Sequence, residues 1–545
     1  MKQFVFWLFL SVLASVPGRA DTNAELMEEA FQAAQLVFLS SAGSAIRQTA
    51  HRQASGDGPA ADLLRQRQTL ENRLASVEAE LASLGRPEEE DGRARATRLG
   101  GEISSLRVEI ETLDAKIDET APEARRLTSP AIFTIGQVQA KLAADEALIF
   151  FFVGESDTYT WAITPTDAAW TRVGLGRAAL ANEITEIRKS LGFNGTLRAA
   201  VPLDDVDNPG PRVPAFDRTR AFLLYWELLG QLEPFLADKR HLFVVPDGPL
   251  TGIPLSLLIT DAQLSGEDTD PEALRNTSWF FQRHALTTLP SVESLSIIRS
   301  ASANRSQDQS IAFLGFGDPA FSGSARPTST SAVTRAGTSD PDSIRALAPL
   351  PGTRRELTRI AETLGPARSE LFLGSDASER AVKTAALSDA RIIAFATHGL
   401  LSGDLPGLTE PALVFSPPGT PEPGNDGLLT ASEIAELSLD ADWVLLSACN
   451  TAGGDGRPDA EGLSGLARAF LFAGARSILV SHWPVRDDAA TRLTTDSFKA
   501  LAEDPERRKA EALQQAMQAL LSDPSDPTLA HPAAWAPFVL VGEGG

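Results

Sequence analysis

Two residues, each at the end of a predicted strand, could form a nucleophile and its base. Cys449, the only cysteine of the chain, follows an apolar run over residues 442–448, and His398 ends a similar run over residues 390–397. In an open α/β sheet, ligands and chemistry collect at the carboxyl ends of the strands. A cysteine attacks as its thiolate, and a neighbouring histidine can activate it. The pattern predicts a Cys-His dyad in which His398 acts as general base and then as acid toward a leaving amine.

The backbone beside the dyad offers a place for a developing negative charge. The N–H of Gly399 can approach a substrate because glycine has no Cβ in the way. Together with the N–H of Cys449 it would form an oxyanion hole. Taken alone, Cys449 is more typical of a buried structural residue, and His398 of a histidine satisfied within the fold or in a turn. The joint placement of the two residues is what favours chemistry.

The other histidines give weaker signals. His482 also ends a predicted strand, over residues 477–481, where it either borders the same site or has a structural role. The rest lie outside any convincing cluster: His51, His241, His284 and His531.

Composition and motifs argue against several function classes. The chain carries a formal net charge of −23, and phosphate binding needs clustered Lys and Arg, so a nucleic-acid partner is not expected. One cysteine and scattered histidines lack the ligand spacing of a zinc site, and neither a Walker motif nor a Gly-x-Ser-x-Gly elbow is present. We therefore predict no metal and no cofactor.

The first twenty residues are typical of a secretory signal peptide. Lys2 precedes an apolar core over residues 4–16, and small residues surround a predicted cleavage point after Ala20. This predicts an exported protein, periplasmic or secreted. The alternative is an uncleaved anchor, the one case in which the membrane is a partner. One cysteine cannot form an internal disulfide, and a free thiol in an oxidising compartment is a liability unless it is buried or used.

Residues 21–143 are predicted to be helical, with a coiled-coil pattern. Two apolar seams are joined by a Gly/Pro turn, which predicts an antiparallel helical hairpin. The seam residues are Leu63, Leu70, Leu74, Val77, Leu81 and Leu84, then Leu99, Ile103, Leu106, Ile110, Leu113 and Ile117. The hairpin either packs within the chain or serves as a dimerisation element or docking arm for a protein activator.

From about residue 144 the pattern alternates between strands and helices, which predicts an α/β unit. Its predicted strands include residues 147–153, 158–164 and 242–246, and in the second half 390–398, 442–449, 477–481 and 535–541. Residues 303–346 are rich in small and polar residues, and 323–342 are predicted to be an exposed loop or linker. We interpret residues 314–317 as an isolated two-glycine turn.

Several short motifs occur in order over residues 145–545. They are Val-Val-Pro-Asp-Gly-Pro-Leu at 244–250, Leu-Pro-Ser at 289–291, Gly-Phe-Gly-Asp-Pro at 315–319, Leu-Pro-Gly-Thr at 350–353, Phe-Ala-Thr-His-Gly at 395–399, Leu-Ser-Ala-Cys-Asn-Thr at 446–451, Ser-His-Trp-Pro-Val at 481–485 and Trp-Ala-Pro-Phe at 535–538. Together these motifs resemble the CHAT domain, a bacterial relative of caspases and separases. The resemblance implies a caspase-like α/β sandwich, with residues 144–345 as a non-catalytic companion to a catalytic half at residues 346–545. It also implies that His398 and Cys449 are a peptidase dyad.

The chain departs from the caspases in the residues before the candidate nucleophile. Ser-Ala-Cys at residues 447–449 replaces the Gln-Ala-Cys of caspases, so specificity for aspartate is not predicted. The loop from Trp483 to Asp488 is expected to border the specificity pocket together with His482. Asp487 would meet a basic side chain there or cap the following helix.

Three functions are consistent with these features. The first is an exported cysteine endopeptidase that cleaves a protein substrate and is activated by a partner. The second is a catalytically silent scaffold that recruits partners through its helical region. The third is a thiol redox sensor.

Overall fold

One mixed sheet of eleven strands forms the centre of the α/β part. The computed structural model describes residues 23–37, 90–120, 132–193, 214–302, 310–321, 341–400, 410–420, 422, 424–447, 465–483, 485–504 and 506–544, with isolated positions at 63–77 and 404–408. The strand order in the sheet is β3-β2-β1-β4-β5-β14-β13-β12-β8-β6-β7, and β9, β10 and β11 form a small second sheet. The strands are β1 Glu146–Val153, β2 Thr158–Ile163, β3 Ala168–Val173, β4 His241–Val245, β5 Ala285–Thr288, β6 Ile311–Pro319, β7 Ser369–Gly374, β8 Ala390–Ala396, β9 Gly399–Leu400, β10 Ala412–Val414, β11 Leu428–Thr430, β12 Trp443–Leu446, β13 Ser477–Ser481 and β14 Phe538–Gly542.

Helices cover both faces of this sheet, and the helix at residues 90–120 belongs to a separate unit. In chain order, the helices of the described residues are α1 Asn23–Val37, α2 Glu90–Thr120, α3 Ile135–Gln139, α4 Arg177–Ser190, α5 Arg218–Leu229, α6 Glu233–Leu236, α7 Pro271–Arg275, α8 Phe280–Arg283, α9 Val292–Ser302, α10 Pro341–Arg345, α11 Pro351–Leu364, α12 Glu379–Thr384, α13 Ala431–Glu436, α14 Gly465–Ala473, α15 Asp487–Glu503, α16 Lys509–Leu521 and α17 Pro532–Trp535. Helices α4, α5, α11, α15 and α16 pack on one face, whereas α1, α3 and α9 pack on the other. The predicted α/β sandwich is confirmed.

Strand β1 shows why its sequence is apolar throughout. Ile149 and Phe151 face the core under α4 and α5, and Phe150 and Phe152 face the core under α1 and α9. A strand that is buried on both faces has a continuous apolar sequence, and this pattern is why residues 147–153 were predicted to be a strand.

The strands of the large sheet form two groups, β1 to β5 on one side and β6 to β8 with β12 to β14 on the other, and the groups meet where β5 lies beside β14. Strand β5 pairs with β14 in parallel through one residue pair, Thr288 with Val541. Neighbouring ladders are longer, since β4 pairs with β5 over four residues and β13 with β14 over five.

Strand β6 corrects the interpretation of residues 314–317 as a turn. The strand lies between β7 and β8 and pairs in parallel with both. A Cβ on Gly317 would lie 2.6 Å from Leu357 Cδ1 and 2.8 Å from the carbonyl oxygen of Ala396. The glycine is therefore needed for close packing in a strand. Strand β6 also pairs with strands that lie beyond the predicted boundary at residues 345/346.

Helix α1 belongs to the α/β part, and not to the helical region predicted over residues 21–143. The ring of Phe31 packs edge-on against Phe150 at 5.7 Å, and Gln35 Nε2 donates to the carbonyl of Phe133 at 2.8 Å. Residues 1–43 and 132–545 form one compact unit, and residues 44–131 form another.

Within the smaller unit, residues of the two predicted seams pack together. Val77, Leu99, Ile103 and Leu106 form a buried cluster, with Leu70 and Leu74 against it. Arg73 and Glu102 form an exposed ion pair at 2.8 Å. Across the described residues, no helix combines the length and apolar character needed to cross a bilayer.

Candidate functional site

Strands β8 and β12, which lead to His398 and Cys449, are direct neighbours in the sheet. They pair in parallel, and the last pair in their register is Phe395 with Leu446. His398 and Cys449 each lie three residues beyond that pair. Cys449 itself lies outside the described residues. The structure therefore brings both chain segments to the same edge of the sheet, and the contact between the two side chains stays a prediction.

His398 is held by a backbone carbonyl. Its Nε2 lies 2.8 Å from the oxygen of Ala348, in the loop between α10 and α11. A carbonyl can only accept, so Nε2 carries the proton and Nδ1 of the neutral ring is an acceptor. Burial lowers the pKa of His398 and the carbonyl partly opposes that effect, which favours the neutral ring at neutral pH. The half-buried imidazole, with Phe321 at a ring distance of 5.5 Å, is thus oriented as a base.

The chain just before Cys449 is fixed by a buried acid that the sequence analysis missed. Ser447 N–H donates to the carbonyl of Phe395, and Ser447 Oγ donates to Glu356 Oε2 at 3.0 Å. The other carboxyl oxygen of Glu356 accepts from Thr494 Oγ1 at 2.9 Å. Glu356 is only 2% exposed. It therefore links α11 and α15 to the segment that carries the candidate nucleophile.

A signal for Glu356 was present in the pattern of α11. Helix positions three and four apart share a face. Glu356 falls between Thr353 and Ile360 on the face that is otherwise buried, whereas Arg354 and Arg355 are exposed. A carboxylate on a buried apolar stripe usually has hydrogen-bond partners within the fold. The partners of Glu356 are the hydroxyl groups of Ser447 and Thr494.

Gly399 lies at the start of β9, immediately after the candidate base. It pairs with Leu413 of β10, and Val414 N–H donates to the carbonyl of His398 at 2.9 Å. These contacts hold the backbone at residues 398–399. The oxyanion hole also requires the Cys449 N–H, outside the described residues, so it stays a prediction.

The insertion between the two strands is anchored by another buried acid. Glu379, 1% exposed, accepts the N–H groups of Asp426 and Gly427 at 2.8 and 2.9 Å. A capping box begins α13: Glu433 Oε2 accepts from Thr430 N–H at 2.9 Å, and Thr430 Oγ1 accepts from Glu433 N–H at 3.3 Å.

Two of the three predicted specificity residues, His482 and Trp483, are buried. His482 is 5% exposed, and its backbone N–H donates to Pro537. Trp483 is fully buried, and its indole N–H donates to the carbonyl of Ala533 at 3.0 Å. Both residues lie in the interior, so Trp483 does not border an exposed pocket as the sequence analysis expected.

Asp487 is the first residue of α15, and Arg486 occupies the N-cap position. Asp487 is therefore not the cap that the sequence suggested. Its side chain lies outside the described residues, so a contact with a basic substrate group stays a prediction.

The remaining described histidines have local roles. His241 Nε2 lies 2.7 Å from Thr287 Oγ1, and His531 Nδ1 accepts from Ala533 N–H at 3.2 Å. His284 Nδ1 lies 2.5 Å from the carbonyl oxygen of Lys239. His51 lies outside the described residues. Among the residues that the structure describes, no group of three His, Cys, Asp or Glu side chains could hold a metal ion.

Comparison with known proteins gives relatives and similar structures. The chain is 28% identical to human tetratricopeptide repeat protein 28 over 338 residues, which are 56% of this chain and 12% of that protein. It is 31% identical to the mouse protein over 223 residues, or 36% and 9% of the two chains. It thus spans about a tenth of the length of these relatives.

Among solved structures, the Saccharomyces cerevisiae separase–securin complex matches with a TM-score of 0.41 and 11% identity, over 84% of this chain and 34% of that one. The Arg-specific cysteine proteinase gingipain R matches with a TM-score of 0.36 and 12% identity, over 67% and 74% of the two chains. Residues 219–543, more than half of the chain, match the CHAT domain family. This chain therefore belongs to the CHAT domain family.

Proposed function

We propose that this protein is an exported cysteine endopeptidase that cleaves a protein substrate with a His398–Cys449 dyad. One observation carries the proposal. His398 is oriented by the carbonyl of Ala348 at the end of β8, and the neighbouring parallel strand β12 leads into the only cysteine of the chain.

The chemistry follows from the protonation of the ring. Nδ1 of His398 takes the proton from the thiol of Cys449, and the thiolate attacks the carbonyl carbon of the scissile bond. The N–H groups of Gly399 and Cys449 stabilise the oxyanion. The imidazolium then gives its proton to the leaving amine, which leaves an acyl-thioester. Water, activated by the same Nδ1, hydrolyses the thioester and restores the thiol.

We further propose that a protein activator binds the helical unit over residues 44–131. The unit has its own apolar cluster, which keeps it compact without using its outer surface. On α2, the side chain of Val108 is 62% exposed. In this proposal, Val108 supplies one apolar contact to a helix of the activator.

The test is cleavage of a diverse peptide library by the purified protein, with mass-spectrometric identification of the products. Cys449→Ala and His398→Ala should each abolish cleavage. The control is His51→Ala, which lies far from both motifs in sequence and should retain activity.

Equal cleavage by the native protein and Cys449→Ala would refute the dyad. Absence of cleavage by all four proteins, while partners are still captured by Cys449→Ala through the helical unit, would favour the scaffold function.

A further inference from the structure

Asp318, near the end of β6, has an unusual backbone conformation close to the candidate base. Among the residues that the structure describes, it is the one residue other than glycine with a positive φ, of 50°. It directly follows Gly317, which pairs with Ala396 of β8, two residues before His398. The register of β6 against β7 also shifts between Gly317 and Pro319. Such a conformation is unfavourable and persists only where surrounding contacts hold it, so the contacts of Asp318 show what the turn is built to do.

These contacts join the turn after β6 to the first turn of α11. The backbone N–H of Asp318 donates to Thr353 Oγ1 at 2.9 Å, and Arg354 Nε donates to Asp318 Oδ2 at 2.7 Å. Further along the turn, the N–H of Ala320 donates to Ser416 Oγ at 2.8 Å. The left-handed backbone of Asp318 thus aims its N–H at the hydroxyl group of Thr353, and it links the motif at residues 315–319 to the motif at residues 350–353.

Thr353 passes this hold on to the loop before α11. While its Oγ1 accepts from Asp318, it donates to the carbonyl of Leu350 at 2.7 Å, and the backbone N–H of Thr353 donates to the same carbonyl at 3.1 Å. A hydroxyl group can do both because it is one donor and two acceptors. Thr353 is 8% exposed, so water does not readily replace these bonds. A valine of the same shape could make neither of them.

The loop connects Leu350 to the carbonyl that holds His398. Ala348 lies two residues before Leu350, with Pro349 between them and Pro351 after them. Proline fixes its own φ and restricts the residue before it to extended conformations, so this stretch is stiff. A displacement of Leu350 therefore moves the carbonyl of Ala348, which accepts from Nε2 of His398 at 2.8 Å. Ala348 is itself exposed, so packing of its own side chain contributes little to holding it.

We propose that Thr353 is a positioning residue for the candidate base. Through the carbonyls of Leu350 and Ala348 it keeps the proton of the neutral imidazole of His398 on Nε2, which leaves Nδ1 as the acceptor. Asp318 supplies the N–H that fixes the hydroxyl group of Thr353. The consequence for catalysis rests on the proposed peptidase function, whereas the hold on the imidazole can be measured without any catalysis.

The experiment is nitrogen NMR of the full chain with isotope-labelled histidine at neutral pH. The chemical shifts of the two ring nitrogens show which of them carries the proton, and loss of signals in His398→Gln identifies His398 among the six histidines. Thr353→Val, and Thr353→Ala as a second variant, should raise the ratio of the Nδ1–H to the Nε2–H tautomer of His398 at least about fivefold. Thr353→Ser keeps the hydroxyl group and should keep the native ratio.

Thr363→Val is the matched control. Thr363 lies on the same helix, and its Oγ1 also donates to a backbone carbonyl, that of Arg359 at 2.9 Å. The same change of side chain there should leave the tautomers of His398 unchanged. The second measurement is the rate at which a substrate-like electrophile labels Cys449. Misplacement of the base in Thr353→Val should slow this labelling about tenfold, and Thr353→Ser should restore it.

A native tautomer ratio in both Thr353→Val and Thr353→Ala would overturn the positioning role, and so would equal changes in Thr353→Val and Thr363→Val. The two proposals fail separately. If the native protein neither cleaves peptides nor is labelled, but Thr353→Val still shifts the tautomers, the peptidase function fails and the hold on His398 stands. If Thr353→Val keeps both the native ratio and the native rate of labelling, only the positioning role fails.

Discussion

Replacing Glu356 with leucine should loosen the chain that leads to Cys449. Leucine removes both carboxyl acceptors while it fills much of the same space. Ser447 Oγ then loses its bond at 3.0 Å, whereas Thr494 Oγ1 keeps the carbonyl of Ala490 at 2.9 Å. An unsatisfied buried hydroxyl costs about 1–3 kcal/mol, and Ser447 is half-buried, so water can recover part of the loss. We expect Glu356→Leu to lower the free energy of unfolding by about 2 kcal/mol.

Glu356→Gln is the matched control. Its amide can accept from one hydroxyl and donate to the other, because a serine or threonine oxygen can do both. We expect a loss of less than about 1 kcal/mol for this variant. A double-mutant cycle with Ser447→Ala isolates the contact, and its coupling energy should be about 1 kcal/mol.

Urea unfolding followed by tryptophan fluorescence measures these values, since Trp443 is buried in β12. Equal stabilities of the Leu and Gln variants, or additive effects of Glu356→Leu and Ser447→Ala, would refute the assigned role of the acid.

Three further predictions follow from packing, charge and pH. Gly317→Ala should lower the free energy of unfolding by about 1–3 kcal/mol, because the new Cβ would clash with Leu357 and the carbonyl of Ala396. The control is Gly101→Ala on α2, where nothing lies within 4 Å of the new Cβ, and urea unfolding should show it to be neutral or slightly stabilising. Arg218→Met should lower the free energy of unfolding by about 3 kcal/mol, because the side chain of Arg218 is only 2% exposed and donates to Asp268 and to the carbonyls of Ser265 and Gly266. The control, Arg172→Ala, removes an exposed ion pair and should lower it by less than about 1 kcal/mol. Burial lowers the pKa of His482 to about 3 and that of His531 to about 4, below the unfolded value of 6.5. The stability that these neutral rings contribute is therefore complete above pH 6.5 and is lost as the pH falls from 6.5 toward 4. A melting temperature that increases as the pH is lowered from 6.5 to 4 would contradict the assignment.

The sequence predicted those parts of the fold that local patterns determine. Strands buried on both faces, such as β1 and β8, have continuous apolar sequences, and these runs were predicted as strands. The sequence also predicted that His398 and Cys449 follow the carboxyl ends of two strands, whereas the pairing of β8 with β12 is visible only in the structure.

Features that depend on distant partners were not visible. Strand β6 contains Gly315 and Gly317, which in isolation are typical of a turn, and only packing against Leu357 and Ala396 shows why a strand needs them. Trp483 was expected at a pocket rim because it follows a strand, yet its indole group is buried against Phe193. Tertiary contacts decide these cases and leave no local signature.

The most direct test of the dyad is covalent labelling of the purified protein by a peptide acyloxymethyl ketone, a substrate-like electrophile, followed by peptide mapping. The chain has one cysteine, so the site of a thioether adduct is unambiguous. A neutral His398, with Nδ1 free to accept a proton, predicts rapid labelling of Cys449 that His398→Ala slows at least a hundredfold. Equal labelling rates in the native protein and His398→Ala would contradict the account.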